Sequence, residues 1–535
     1  MKTPTILATP VLVVACLLAV SSAARAQNID KAITAFKKGN YEVSAAQFYA
    51  VLRFESEEQG DLAEAQYGLA KSFQKLGLPL AALKYYEDIV KVGSDHPHFD
   101  KAVEGLLDVG AALDDDLKTP QILDAIYTNE NGPALQKMNP EILQRVHYVL
   151  GRYSFNRNNI KDAKEFLGTV KPGNPSYPHA RYLLGLVALG VGRGDNFAPK
   201  YDQAIDSFEK SRDAIPEGST DVELLEVRDQ ASLALARTYY EQAYQLDEGN
   251  QKRTAGLKLA TAEFLAVPRF SNNWAQALFG RSWTHLVNNE YGRALGALHS
   301  LRAPYFADEF YPEANILQSI VYYYNCQWDR VNAIINETKS EFEPMAKQLQ
   351  ALSGGNLALD EWYPLLKKSL KVSTESSAAD QSNERIPYRV AGSISHDPKF
   401  KKMEGFIKEI DREAKIFERS DTFAKSEMGR EMTDFANDTR DAFLAVVGKY
   451  VKTKVADLAG ELNDITTRAA LVQLETQTAE ADWLEQGKEI DNQVRARQPR
   501  PYIPDDTFQF WWFRNEYWVD EVGYYEFTIK SECFE

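Results

Sequence analysis

Past its first two dozen residues the sequence has no apolar run near the roughly 18 consecutive residues a membrane-crossing helix needs, so the rest of the chain is expected to be soluble or peripheral, with no transmembrane helix. It also lacks a phosphate loop, a dinucleotide fingerprint, a zinc-protease helix and a nucleophile elbow, so no enzyme class announces itself and no cofactor is expected. Positive charge is short: 61 Lys and Arg stand against 77 Asp and Glu, a formal charge of −16. That excludes bulk attraction to nucleic acid or to an anionic membrane surface. Cysteine is scarce too, with three in 535 residues. A chain of this length implies several domains or an extended repeat array.

What is present begins with an export signal. Lys2 supplies a positive end, Thr5 to Val20 is largely apolar, and Ala24-Arg25-Ala26 is the small-x-small site of a leader peptidase. Residues 1–26 are therefore expected to be a signal peptide, with Gln27 as the first mature residue. The alternative is a lipoprotein acylated at Cys16, for which Val13-Val14-Ala15-Cys16 is the box. The apolar run Leu17-Leu18-Ala19-Val20 continues past that cysteine and argues against it. The expected location is the periplasm or the outer-membrane periphery. The two cysteines left, Cys326 and Cys533, are free to pair in such a compartment or to stay as thiols.

From 27 to 345 a pattern recurs. It reads Leu69-Ala70 … Phe73 … Gly77 … Ala82 … Tyr86, then Leu150-Gly151 … Asn158 … Ala163 … Leu167, then Leu184-Gly185 … Ala204 … Phe208. It returns as Leu235-Ala236 … Tyr239 … Ala260 … Phe264 and as Phe279-Gly280 … Trp283 … Asn289 … Ala294 … Leu298. A small residue in a first helix admits a close neighbour, Gly or Asn ends that helix in the left-handed region, and a small residue four places before a large apolar one shares its face on a second helix. These residues resemble the tetratricopeptide repeat family, whose period is about 34 residues. The gap between Ala82 and Ala163 is more than twice that and predicts a degenerate unit around Gly105 to Tyr127.

The resemblance implies an all-α fold, a right-handed α-solenoid, whose groove of first helices binds peptides or proteins. The expected packing positions are Ala82, Gly151, Ala163, Gly185, Ala204, Gly280 and Ala294. The groove candidates are Tyr240, Tyr322, Tyr323 and Tyr324, set against the plainer reading that such aromatics pack in the core.

Residues 346–400 read as linker with room for one last helix, from Ser373–Ser377, Ser393–Pro398 and the cluster Trp362, Leu365, Leu366. Residues 401–494 read as long helices. Val451, Val455, Leu458, Leu462, Ile465, Ala469, Val472, Ala479 and Trp483 form a heptad-like seam interrupted by Thr476. Breaks are expected near Ser420 and Gly448, and the helices either fold back as a hairpin or pair with another chain.

Residues 495–535 form an aromatic segment in which Tyr524 to Ile529 has the alternation of a strand. Its aromatics, Trp511, Trp512, Tyr517 and Trp518 among them, are either a clip onto the helices, a recognition element or a glycan-stacking surface. The string Asn515 to Tyr524, following helical repeats, resembles the ends of large exported repeat proteins of predatory and gliding bacteria. In this the chain is similar to the periplasmic repeat components of the myxobacterial gliding-motility machinery. The resemblance implies a cell-envelope setting and no catalytic residue.

Few residues suggest chemistry. His96-Pro97-His98 with Asp95 and Asp100 is a weak metal pattern without a third placed ligand, and an ordinary loop is the expectation, so no metal is assigned. Asp114-Asp115-Asp116 suits a helix cap, a cation contact or plain solvation. Glu516, Asp520 and Glu521 lack the fixed separation of a glycosidase pair. The reading is a non-catalytic interaction scaffold of an envelope complex. The alternatives are a peptidoglycan or glycan binder using the tail and an exported chaperone.

Overall fold

The computed structural model describes residues 29–55, 59–191, 197–371, 385–485, 503 and 505–533. The leader with Cys16, the serine stretch at 373–377 and the segment 498–501 lie outside them. Among the described residues there is helix and no strand.

The helices come in pairs: α1 (29–37) with α2 (Tyr41–Ala50), α3 (Gln59–Lys75) with α4 (Pro79–Val92), and α5 (Phe99–Ala112) with α6 (Lys118–Thr128). After the short α7 (Gly132–Gln136) come α8 (Pro140–Asn156) with α9 (Ile160–Gly168), α10 (Tyr177–Leu189) with α11 (Tyr201–Asp213), and α12 (Val222–Tyr244) with α13 (Gln251–Ala266). Then follow α14 (Trp274–Val287) with α15 (Tyr291–Ser300) and α16 (Glu313–Tyr324) with α17 (Trp328–Ser353). The pair α5/α6 is the degenerate unit expected between Ala82 and Ala163.

One turn explains the repetition. After α1, α3, α5, α8, α10, α14 and α16 a residue adopts positive φ: Gly39, Gly77, Asp114, Asn158, Gly190, Asn289 and Cys326. The next N–H then donates to a carbonyl five residues back, as in Leu78 to Phe73 (2.9 Å), Asp115 to Gly110 (2.9 Å), Asn159 to Ser154 (2.8 Å) and Gln327 to Tyr322 (3.0 Å). This is the Schellman closure of a helix end. Asp114 and Cys326 hold the position without glycine or asparagine, which hides their turns from a composition search.

The anchors Ala82, Ala163, Ala204 and Ala294 are fully buried. A Cβ at Gly151 would lie 2.7 Å from Leu167 Cγ, while Gly185 faces the Phe208 ring and Gly280 the Phe264 ring too closely for any side chain.

Two compact units result. The first comprises residues up to Ser176 together with Lys402–Leu444. Those later residues belong to α20 (Pro398–Arg419) and the start of α21 (Glu427–Glu485), which fold back on each other at Ser420. Arg440 Nε meets Asp411 Oδ1 at 2.8 Å, and the Phe406 and Phe443 rings lie 4.7 Å apart. Their residues Ile410, Phe417, Phe423, Met428 and Met432 share one core with Phe73, Tyr85 and Leu80 of the repeats.

Glu413 of the hairpin is 1 % exposed and accepts the N–H groups of Leu80 (2.6 Å) and Ala81 (3.0 Å) at the start of α4. Glu431 accepts the Tyr49 hydroxyl (2.7 Å), Arg53 (2.5 Å) and Lys84 (3.3 Å). Burial pushes the Glu431 carboxyl up, but these donors together hold it below its ordinary value.

The second unit comprises Tyr177–Lys401 and Ala445–Glu535. Gly448 does not end a helix. Its Cα lies against the Leu359 carbonyl, so the glycine serves close approach, and α21 continues. Here the seam is covered by the chain's own helices: Tyr450 and Lys454 reach Asp397 (2.7 and 3.0 Å), Arg468 reaches Glu313 (2.7 Å) and Lys339 reaches Gln473 (2.7 Å). Thr476 does not interrupt it. The residue is buried, with its hydroxyl donating to the Val472 carbonyl (2.6 Å). Within the stretch 346–400, the described residues 346–371 and 385–400 are largely helical rather than linker. α17 runs on to Ser353, and α18 (Trp362–Ser369) and α19 (Tyr388–His396) bury Trp362, Leu366, Val390 and Ile394.

Candidate interaction surfaces

In the second unit the first helices α10, α12 and α14 bring together Tyr182, Arg237 and Gln276, with Tyr311 just before α16. Arg237 donates to Gln276 Oε1 (3.2 Å), linking α12 to α14. Its side chain is exposed, yet burial pushes the guanidinium below its ordinary range, and only the Tyr182 and Tyr311 hydroxyls act to raise it. The Phe279 ring lies 5.3 Å from that of Tyr311 and extends the lining. Sequence reading named none of the five as a surface candidate, and Phe279 only as part of the repeat pattern. Arg237, Gln276 and Phe279 stand on first helices beside the packing positions, and that placement is the signal that could have found them.

The tyrosines singled out from sequence behave differently. Tyr240 is half-buried and stacked on Tyr244 at 5.9 Å, and burial raises its hydroxyl to about 12. Tyr322 is buried at 5 % exposure and packs, so it is not available in a groove. Tyr323 is half-buried against Trp328, and Tyr324 is exposed and stacked on Tyr291.

The tail lies on α14 and α15. The Phe527 N–H donates to the Gly292 carbonyl (3.0 Å), the Gly523 N–H donates to Ser300 Oγ (2.9 Å), and the Tyr525 carbonyl rests on Gly296, where a side chain would block it. Tyr524–Ile529 is not a strand: Tyr524 closes a turn onto the Glu521 carbonyl (2.9 Å), and the neighbour is a helix that offers one carbonyl and no ladder. His299 sits among Phe513, Tyr517, Tyr525 and Phe527, at 4.6 to 5.3 Å between centroids. Burial there lowers its imidazole to about 4, so it packs as a neutral ring.

Farther on, Gln327 Nε2 donates to the Lys530 carbonyl (2.9 Å), and a disulfide joins Cys533 to Cys326 at the α16–α17 turn. Trp511 is half-buried between Trp518 and Tyr525, each 5.1 Å away, and Tyr517 is half-buried. Trp512 and Trp518 keep 59 % and 43 % of their surface exposed, so the segment is clipped down along one side while presenting indole rings on the other.

No protein-family model and no curated protein matches the chain. Among solved structures it is similar to the anaphase-promoting complex hetero-tetramer Cut9–Hcn1, with 11 % identity over 82 % of this chain and 95 % of that one, at a TM-score of 0.22. At that score the likeness carries no argument about partners.

The remaining polar clusters have structural work. His98 Nε2 pairs with Glu64 (2.7 Å), His96 Nε2 lies 3.3 Å from Gln66 Oε1, and the His98 N–H donates to His96 Nδ1 (3.1 Å). Asp115 caps α6 by accepting from Leu117, Lys118 and Thr119, while Asp114 pairs with Lys402 (2.7 Å) and Asp116 with Arg152 (2.5 Å). Among the described residues no three His, Cys, Asp or Glu side chains are placed to hold a metal ion. Glu516 accepts the Arg514 N–H (2.7 Å), and Asp520 and Glu521 are exposed.

Proposed function

We propose that the protein is a non-catalytic interaction scaffold of a bacterial cell-envelope complex, such as a motility machine, exported by its leader. It would hold partner proteins on the surface formed by Tyr182, Arg237, Gln276, Phe279 and Tyr311. The observation that supports this is an exposed Arg237 that bridges two first helices through Gln276 and has the Tyr182 and Tyr311 hydroxyls as electrostatic neighbours, the mix that anchors protein interfaces. The test is a photo-crosslinking side chain at Gln276 in the full chain, in its own cells, with Glu223 as the exposed control. Discrete adducts from position 276 only, reduced at least tenfold by Arg237→Glu, are expected. Equal or absent adducts at both positions end this reading.

A second reading draws on the exposed indoles of Trp512 and Trp518, which suit sugar rings. Purified peptidoglycan would then sediment the chain, and Trp512→Ala with Trp518→Ala would abolish it. Unchanged sedimentation of the double variant would dismiss the tail as the glycan surface.

A further inference from the structure

Docking of the tail builds something that neither the helices nor the tail has alone. Arg269, Trp274, Leu278 and Arg281 on the helix side and Val522, Gly523 and Tyr524 on the tail line one open cleft. Arg281 is 9 % exposed. One of its terminal nitrogens donates to the Gly523 carbonyl, and Arg269 donates likewise to the Val519 carbonyl. The Nε of each is buried without a partner.

Among the described residues neither guanidinium has a carboxylate at ion-pair distance. Glu290, on the neighbouring turn, is taken up by His285 (2.5 Å) and Arg293 (3.6 Å), and Asp520 and Glu521 face solvent. Burial lowers Arg281 to about 10, and only the Tyr524 hydroxyl acts against this. A buried cation without a counter-charge is costly, and in a chain with 77 acidic residues against 61 basic ones its isolation stands out.

The walls narrow the class of ligand. The Arg269 guanidinium lies 5.2 to 5.6 Å from the Phe270, Trp274 and Tyr524 rings. Apolar walls around cationic donors suit an acid group carried on an apolar stem and disfavour a fully hydrated phosphate. Phe270 itself is 48 % exposed at a φ of 67°, a conformation that costs a bulky side chain free energy, and it holds its ring beside Arg269 at the rim.

We propose that this cleft binds a carboxylate on an apolar stem, between Arg269 and Arg281, once the tail is docked. The source is either a small organic acid or the free C-terminus of a protein with an apolar last residue. The proposal gives the scaffold a second contact but does not depend on the Arg237 surface.

The experiment is calorimetric titration of the full oxidised chain with butyrate, with inorganic phosphate, and with an apolar-ended peptide in free-acid and amidated forms. Saturable binding of one butyrate per chain is expected, at least tenfold tighter than phosphate, and weakened at least tenfold by Arg281→Gln and by Arg269→Gln. The free-acid peptide binding more tightly than butyrate and the amide not at all would identify a protein terminus. Butyrate alone would identify a small acid.

Protease resistance of the tail in each variant separates loss of the site from loss of docking. If Arg281→Gln frees the tail, Arg269→Gln decides. No saturable butyrate binding by the wild type, or binding unchanged in both variants, overturns the proposal. Butyrate binding without crosslinked partners would instead overturn the scaffold reading alone.

Discussion

Glu413 does what no local pattern announces. It caps a helix more than three hundred residues earlier in the chain, and its burial pushes the carboxyl up to about 8 although two backbone N–H groups hold it down. A carboxyl raised on folding binds its proton more tightly folded than unfolded. Its stabilising contribution is therefore whole below about pH 4.5 and is lost as pH rises through about 8. Glu413→Gln keeps an acceptor for the helix end and removes the titration. Urea midpoints of the first unit's transition at pH 5.5 and 8.0 should show the wild type losing ground to the variant by about 1 kcal/mol or more per pH unit within that window. Parallel curves would mean the carboxylate is already ionised at pH 5.5. Glu413→Ala should cost roughly 1–3 kcal/mol at pH 5.5, because two buried donors lose their acceptor, and less at pH 8.0, where the wild type has lost the titrating contribution. In the sequence Glu413 is one glutamate in a helix rich in them; only the tertiary packing separates it from its exposed neighbours.

At the level of the element, the paired helices were legible and their turns partly so. Gly77, Asn158 and Asn289 announced themselves, while Asp114 and Cys326 took the same left-handed position with residues that seldom mark it. The seam of α21 was legible as apolar but not as to what covers it, since heptad spacing is the same for a hairpin, a second chain or the helices α16 to α19. The tail was legible as a clip, a recognition element or a glycan surface without a choice among them, and misleading as a strand. Its seat is α15, where Gly292, Gly296 and Ser300 fall at four-residue steps on one face and leave space for a backbone.

Gly296→Val should therefore lift the tail without breaking α15, at a cost on the order of 1–3 kcal/mol, as overpacking does. The readouts are tail proteolysis and a shift in tryptophan emission as the rings around His299 and Trp511 separate. A variant with wild-type proteolysis would place the tail elsewhere. The Cys326–Cys533 bond closes a sequence separation of 207 residues. On the loop-entropy account Cys533→Ser should lower stability by roughly 5 kcal/mol at most, less where the unfolded chain keeps structure. With Gly296→Val the two effects should exceed their sum in tail release, because each anchor holds the ends of the same segment.

For the molecule as a whole, the order of domains along the chain is not the order of packing. A contiguous repeat region followed by a separate helical region is what the changing periodicity suggested. Residues 402–444 instead complete the core of the earliest repeats, and the rest of α21 belongs with the later ones. Sequence periodicity reports which face of a helix is apolar and says nothing of which distant face receives it.

The consequence can be tested by cutting the chain. A fragment of residues 29–176 alone leaves Phe73, Leu80 and Tyr85 without Phe417, Ile410 and Phe423, and the start of α4 without its cap. Repeat arrays gain stability from each covered interface, so this fragment should unfold with a lower midpoint and a broader transition than the same unit in the full chain. A separate segment 402–444, itself a marginal helix pair, should bind the fragment and restore the midpoint, with amide protection returning at Leu80 and Ala81. Glu413→Ala in the added segment should weaken that rescue at least tenfold. If the fragment melts as sharply and as high without the hairpin, the hairpin is an ornament on a self-sufficient array, and the first repeats need nothing from the far end of the chain.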